Sequence, residues 1–270
     1  MTGMGIAELL HAVDGSGEFG VWLGGLDGKP VFEHRSDRTH YSASTMKLPV
    51  AIALQRKVAA GELTLDQPVT VHNDFASEAG GRFGVDPAED EAPATWSRMG
   101  TDVPLGWLTA EMITLSSNLA TDLVLERVGI AAAHAVLAEY GDGRSAIRRG
   151  IDDRAAQAAG ISNEMSPAGL AGVLVAVGNQ EDAYLRDLLA ANQWNGEIPA
   201  RLPAGTRVEH KNGWDVRIRH DGGVVREPDA DPFVLVVCTT SDLPDARAQQ
   251  LIAEIALVAW EHRHDLGAIR

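Results

Sequence analysis

Two of the four lysines in this chain stand where serine chemistry would use them. Lys47 closes the run Ser44-Thr45-Met46-Lys47, and Lys211 opens Lys211-Asn212-Gly213. All the other members of a set of 23 Lys and Arg residues, apart from Lys29 and Lys57, are Arg, which does not give up its proton. A serine hydroxyl is a weak nucleophile until a base takes its proton. If Ser44 opens a helix, Lys47 lies one turn further on the same face, and the free N–H groups of the helix start face a developing oxyanion. Lysine serves as a base only where burial or a second positive charge lowers its pKa, and Lys211 is the candidate for that charge. Alone the first run is weak: about 0.2 such matches are expected by chance at this composition, and a helix start with a solvated lysine would read the same way.

The elements that must position these residues are legible in outline. A helix is expected over 4–13, then strands over 19–23 and 30–34 joined by the Leu26-Asp27-Gly28-Lys29 turn. Met46, Val50, Leu54 and Val58 recur at helical spacing, so a helix over 44–60 is expected, stopped by Gly61. Residues 61–205 carry helical patterns at 105–115, 118–128, 131–139, 167–177 and 182–191. Two loops interrupt them, 80–100 and 141–166, long enough to shape a site. Strands return at 207–211, 217–225 and 233–239, and a helix over 245–262 ends the pattern. The fold class is therefore α+β: an antiparallel sheet flanked by helices, with a mixed lobe from 1–60 and 206–270, an all-helical lobe from 61–205, and the site between them.

Composition narrows the partners. A net charge of −15 with scattered arginines argues against nucleic acid and against an anionic membrane surface. No stretch has signal-peptide or membrane-spanning character, so the cytoplasm is the expected location. The lone Cys238, in an apolar strand-like run, reads as a core residue. His262 and His264 are wrongly spaced on a helix to share a metal, and no Cys cluster exists, so neither metal nor cofactor is expected. Absence of a Gly-x-Ser-x-Gly run argues against an α/β-hydrolase triad. His220 and Asp221 are neighbours in a strand and point to opposite faces, so they cannot act as a pair, although one of them could line a pocket. His72 is expected to be an ordinary surface or core histidine.

Between the two lysine motifs stands Ser116-Ser117-Asn118, at the junction of two helices. Either serine could simply cap the second helix, and Lys211 could simply end a strand. The three motifs in this order and spacing, with the text MITLSSNLATDLVL around the second, resemble the penicillin-recognising serine enzymes, most closely the class A β-lactamase-like serine hydrolases. The likeness covers nearly the whole chain. It implies a β-lactamase/transpeptidase-like fold and an acyl-enzyme on Ser44, with Lys47 as general base. Ser116 would relay a proton to the leaving group, and Asn118 would hold both Lys47 and the substrate amide. Lys211 would attract a substrate carboxylate, with Asn212, Gly213 and Trp214 lining the substrate site and the N–H groups of Ser44 and Trp214 forming the oxyanion hole. Substrates would be small amides, esters or β-lactams carrying a carboxylate. A binding protein for β-lactam or peptidoglycan fragments is the alternative, and the number of subunits stays open.

Departures from the family pattern bear on the reaction. The loop RRGIDDRAAQAAGISNEMSP lacks the Glu-x-x-Leu-Asn pattern whose Glu activates the water that cleaves the acyl-enzyme, so slow deacylation is expected. Asp152, Asp153 and Glu164 are the acidic candidates for that work, with a salt bridge to Arg154 the plainer role for Asp153 and a helix cap the plainer role for Glu164. Ser117 replaces an Asp. Asn212 replaces a Thr whose hydroxyl would face the substrate carboxylate, and Trp214 is expected to narrow the mouth against bulky cephalosporin side chains.

Overall fold

Alternation along the strands decides how the molecule is layered. In the computed structural model, which describes residues 4–269, five antiparallel strands form the main sheet: β1 (Gly17–Gly25), β2 (Pro30–His34), β3 (Arg207–Asp215), β4 (Ile218–Glu227) and β5 (Ala230–Ser241). Their order is β2-β1-β5-β4-β3. Phe19, Val21, Leu23, Phe233, Leu235 and Val237 point to one face and pack with the Ile6–His11 and Asp245–Glu261 helices. Their neighbours Trp22, Val234, Val236 and Cys238 point to the other face and join the core of the central helices. Val21 sits opposite Val237 and Trp22 opposite Val236. A one-residue slip would exchange the two faces, and burial worth roughly 1.5–3 kcal/mol per large apolar side chain holds the register. The lone cysteine is buried and free, as its apolar run suggests.

The second layer is built on the Lys47–Ala59 helix, whose first eight residues, Lys47 to Leu54, are all buried. It packs against the Asn118–Val128 and Ile130–Tyr140 helices and touches Leu105–Thr114. The Pro167–Gly178 helix bridges this layer to the sheet through contacts with β1, β4 and β5. A helix surrounded on every side needs no polar face, so the period read from Met46 to Val58 captures only one of its contacts.

Two boundaries differ from the sequence reading for physical reasons. The helix expected from residue 44 is a 3-10 turn over Ala43–Met46 followed by an α-helix from Lys47. Pro49 then falls in the first helical turn, where an N–H has no partner to lose. The strand expected to end at Lys211 continues to Asp215, pairing Gly213 with His220 of β4. The two long loops contain small elements: a hairpin of Phe75–Ala76 and Arg82–Phe83 that straddles the start of the first, and short helices Pro93–Trp96 and Arg154–Ala158 within them. Glu164–Met165 pairs with His40–Tyr41. Among the described residues no helix is long and apolar enough to cross a membrane.

Candidate active site

The pieces singled out by type and spacing converge at one pocket of about 670 Å³, whose lining includes Ser44, Ser116, Asn118, Asp152 and Trp214. Ser44 stands in the 3-10 turn, with 9% of its surface exposed, and Lys47 opens the helix behind it, fully buried. Both sides of the pocket use left-handed backbone on residues other than glycine: Ala43 has φ 44° and Ser116 φ 62°. Such conformations persist only where packing over-determines them. Ala43 turns the chain into Ser44, and Ser116 turns it between the Leu105–Thr114 and Asn118–Val128 helices.

The Lys47 amine lies 2.6 Å from the Ser116 carbonyl, 2.8 Å from Asn118 Oδ1 and 3.1 Å from Ser116 Oγ. Burial pushes its pKa well below the ordinary lysine value, and the charge of Lys211 pushes the same way. A neutral amine has two N–H groups and one lone pair. In that form the two carbonyl-type oxygens would take both N–H groups and leave the lone pair for the Ser116 hydroxyl. Lys211 is also fully buried, with Nζ 3.1 Å from Ser116 Oγ and 2.9 Å from the Asn212 carbonyl. Desolvation lowers its pKa to about 7, against the pull of Asp221 and Glu197. Ser116 Oγ thus stands between two amines.

Strand β3 comes unusually close to the nucleophile. A Cβ on Gly213 would lie 2.7 Å from Ser44 N and 3.1 Å from Thr45 N, so no other residue lets the edge strand reach the turn. Trp214, next along, lines the pocket with its ring 5.4 Å from that of Trp194 and with the Arg219 guanidinium 5.5 Å from its centre. Asn212 departs from expectation. Its side chain is 1% exposed and turned away from the pocket, donating to Glu197 Oε2 (3.0 Å) and to the Trp194 carbonyl (3.1 Å). Alternation along β3 puts it opposite in direction to its neighbours, and Glu197, itself paired with Arg219, gives the amide a buried partner there.

The 141–166 loop supplies the facing wall. Asp152 lines the pocket and accepts from Asn118 Nδ2 at 3.1 Å, so Asn118 joins Lys47 to Asp152 through the two ends of one amide. Burial raises the Asp152 pKa, opposed first by Lys47. Asp153 makes no bridge to Arg154. It is fully buried, caps the Arg154–Ala158 helix at Ala156 N, and accepts from Ser77 Oγ and Glu78 N. Arg154 pairs instead with Glu89. Nor does Glu164 cap a helix: it pairs with Arg148, and Ser166 caps the Pro167–Gly178 helix. Asn163 fastens the loop, accepting from the Arg148 and Arg149 N–H groups and donating to the Arg149 carbonyl, beside Met46 of the nucleophile turn.

Asp90 is the residue that sequence reasoning missed. From the 80–100 loop it accepts from Ser117 Oγ, from the N–H groups of Asn118 and Leu119, and from Trp96 Nε1. An anion there complements the start of the Asn118 helix and fixes the side chain that Lys47 uses. Nothing in an acid-rich loop distinguishes it from its neighbours. Ser117 caps that helix at Ala120 N, while Ser116 stands outside the cap. Neither His220 nor Asp221 lines the pocket. His220 is held by the Tyr41 carbonyl and the Thr239 N–H, and Asp221 pairs with His210 and accepts from Ile198 N. Among the described residues no three His, Cys, Asp or Glu side chains are grouped so as to hold a metal.

Comparison with known proteins bears on the family and the fold. The family model described as "Beta-lactamase enzyme family" matches residues 5–263. No curated protein matches. Among solved structures, an ancestral class A β-lactamase is 28% identical, with TM-score 0.79, covering 95% of this chain and 97% of the other. A β-lactamase from Sphaerobacter thermophilus is 23% identical, with TM-score 0.81 and 98% of each chain covered. A Leu-to-Glu mutant of PBP-A, an acyl-enzyme complex with penicillin G, is 21% identical, with TM-score 0.79, covering 95% of this chain and 94% of that one.

Proposed function

The chain belongs to the beta-lactamase enzyme family and is a serine hydrolase of that family, and on that premise we propose that it cleaves carboxylate-bearing amides or esters, β-lactams among them, through an acyl-Ser44 intermediate. The observation that carries this reading is the Lys47 amine, fully buried, hydrogen-bonded to Ser116 and Asn118, and held by burial well below the ordinary lysine pKa, the setting in which a lysine can take a hydroxyl proton. Lys47 takes the proton of Ser44 as Oγ attacks the carbonyl carbon. The N–H groups of Ser44 and Trp214 receive the oxyanion. Ser116 Oγ, between Lys47 and Lys211, passes the proton to the departing nitrogen or oxygen. Lys211 lies behind Ser116, so it acts on a substrate carboxylate through its field, across that hydroxyl. Penicillin acylation has a precedent on this fold in the PBP-A mutant complex.

Water must then cleave the ester, and Asp152 is the carboxylate placed to activate it, at the pocket wall and tied to Asn118. Its side chain is one methylene shorter than a glutamate, which leaves deacylation the slower step. Intact mass after mixing with a penicillin, over minutes to hours and beside Ser44→Ala, tests the reading. A mass increase of one penicillin that Ser44→Ala abolishes is the expected result. Consumption of penicillin with unmodified mass would keep the acyl-enzyme route but overturn slow deacylation. If neither adduct nor consumption appears, β-lactams are not substrates, and the same assay moves to activated esters. A protein inert to both would be a binder without turnover.

A further inference from the structure

Behind the Asp152 segment lies a second cavity, of about 240 Å³, which the reaction above does not use. Phe75, Phe83, Asp122, Leu125, Glu126 and Gly150 line it. The two phenylalanine rings stand 5.5 Å apart, tilted by 37°. At the inner end Asp122, 3% exposed, accepts from Ile151 N through Oδ1 at 2.9 Å, while its Oδ2 has no hydrogen-bond partner among the described residues. Glu78 and Glu126 add acidic groups to the lining. The loop is pressed against this cavity, since a Cβ on Gly150 would fall 2.5 Å from the Phe83 ring and 2.8 Å from Asp122 Oδ1.

We propose that this cavity is a second ligand site, for a single-ring aromatic cation whose amidinium or ammonium group pairs with Asp122 and whose ring packs on Phe75 and Phe83. An anion would meet Asp122, Glu78 and Glu126 together, and a purely apolar ligand would leave Asp122 Oδ2 buried and unpaired. The volume suits one ring with a short substituent, below the range of drug-sized sites. Occupancy is coupled to the catalytic pocket: Ile151, held by Asp122, precedes Asp152, and both line that pocket on the other side of the loop.

Charge complementarity makes the site pH-sensitive. Burial raises the Asp122 carboxyl to about 7; the Asp152 charge adds to the rise, and the Ile151 N–H and Lys47 oppose it. Glu78 and Glu126 face the same space, and His72 contacts Glu126 and Phe75. A cation pairs with the ionised form, so binding tightens about tenfold from pH 6 to pH 8.

Benzamidine titrated into the full ¹⁵N-labelled chain at both pH values tests this by NMR. Saturable shifts centred on Phe75, Phe83 and Gly150 to Asp152 are expected, tighter at pH 8 by about tenfold. Asp122→Asn should abolish that pH dependence, which excludes His72 and the glutamates as its source. Ala76→Trp, which fills the cavity from its exposed side and leaves Asp122 in place, should abolish binding at both pH values, and it decides the matter if Asp122→Asn does not fold. The proposal is overturned by an absence of shifts, by shifts centred on Ser44, Glu91 and Trp214 instead, or by unchanged binding in Ala76→Trp.

Discussion

The two walls of the catalytic pocket are built by different means. Ser44, Lys47, Ser116 and Lys211 stand on a helix start, an interhelical turn and an edge strand, each backed by core, and both lysines are fully buried. Asp152 stands on a loop that is fastened by side chains, with Asn163 at its base, Asp153 capping its short helix and Asp122 holding Ile151. Asn118 is hydrogen-bonded to Lys47 on the first wall and to Asp152 on the second. In the proposed mechanism the chemistry that needs a desolvated amine falls to the core-backed wall, where both lysines are fully buried. The step that admits water falls to the wall that loops provide. A serine hydrolase arranged in this way can keep acylation intact while its deacylation rate varies with loop sequence.

Substitutions that separate the walls give the sharpest test. Lys47→Ala removes the proposed base and is expected to slow acylation by about 10⁴-fold, read from the rate of adduct formation with penicillin. Lys47→Arg should fail equally, because Arg keeps its proton. Asp152→Asn is expected to lengthen the adduct lifetime by about 10²-fold while acylation stays within about threefold. If both rates fall together, the walls do not act separately. Asn163→Ala leaves the Arg148 and Arg149 N–H groups, the second of them buried, without an acceptor and should cost about 2 kcal/mol in urea unfolding, with an unchanged acylation rate. Lys211→Arg has the smallest effect. The Lys211 pKa is lowered to about 7 by burial, so its charge is present below that pH and lost as pH rises through it. For an anionic substrate kcat/KM should therefore fall about fivefold between pH 7 and 8 in the parent protein and stay level in Lys211→Arg. A profile unchanged by the substitution would assign the alkaline limb elsewhere.

Much of the rigid wall could be read from the chain because its residues are short-range motifs. Ser44 to Lys47 is one helical turn, Ser116 to Asn118 is one interhelical turn, and Lys211 to Trp214 is one strand end, so local spacing specifies what each group sees. Asn212 shows where that reasoning stops. The resemblance places it beside the substrate, but Glu197, fifteen residues upstream, buried and paired with Arg219, offers the amide a partner on the opposite face. The loop wall was less legible for the same reason. Asp152, Asp153 and Glu164 are alike as acids in a loop, and only their partners separate them: Asn118 for the first, Ser77 and two backbone N–H groups for the second, Arg148 for the third.

By itself the sequence determined the order of elements and the antiparallel sheet from both ends of the chain, because periodicity and turn chemistry act over a few residues, and its three motifs carried the resemblance from which the roles of Ser44, Lys47 and Ser116 are proposed. Tertiary structure alone decided the quantities that depend on distant atoms. These are the desolvation that lowers the Lys47 pKa, the left-handed turns at Ala43 and Ser116, the close approach that only Gly213 permits, and the placing of Asp152, alone of the three loop carboxylates singled out, in the pocket lining. Each is set by what the rest of the chain places within a few ångströms, and spacing along the chain carries no information about that.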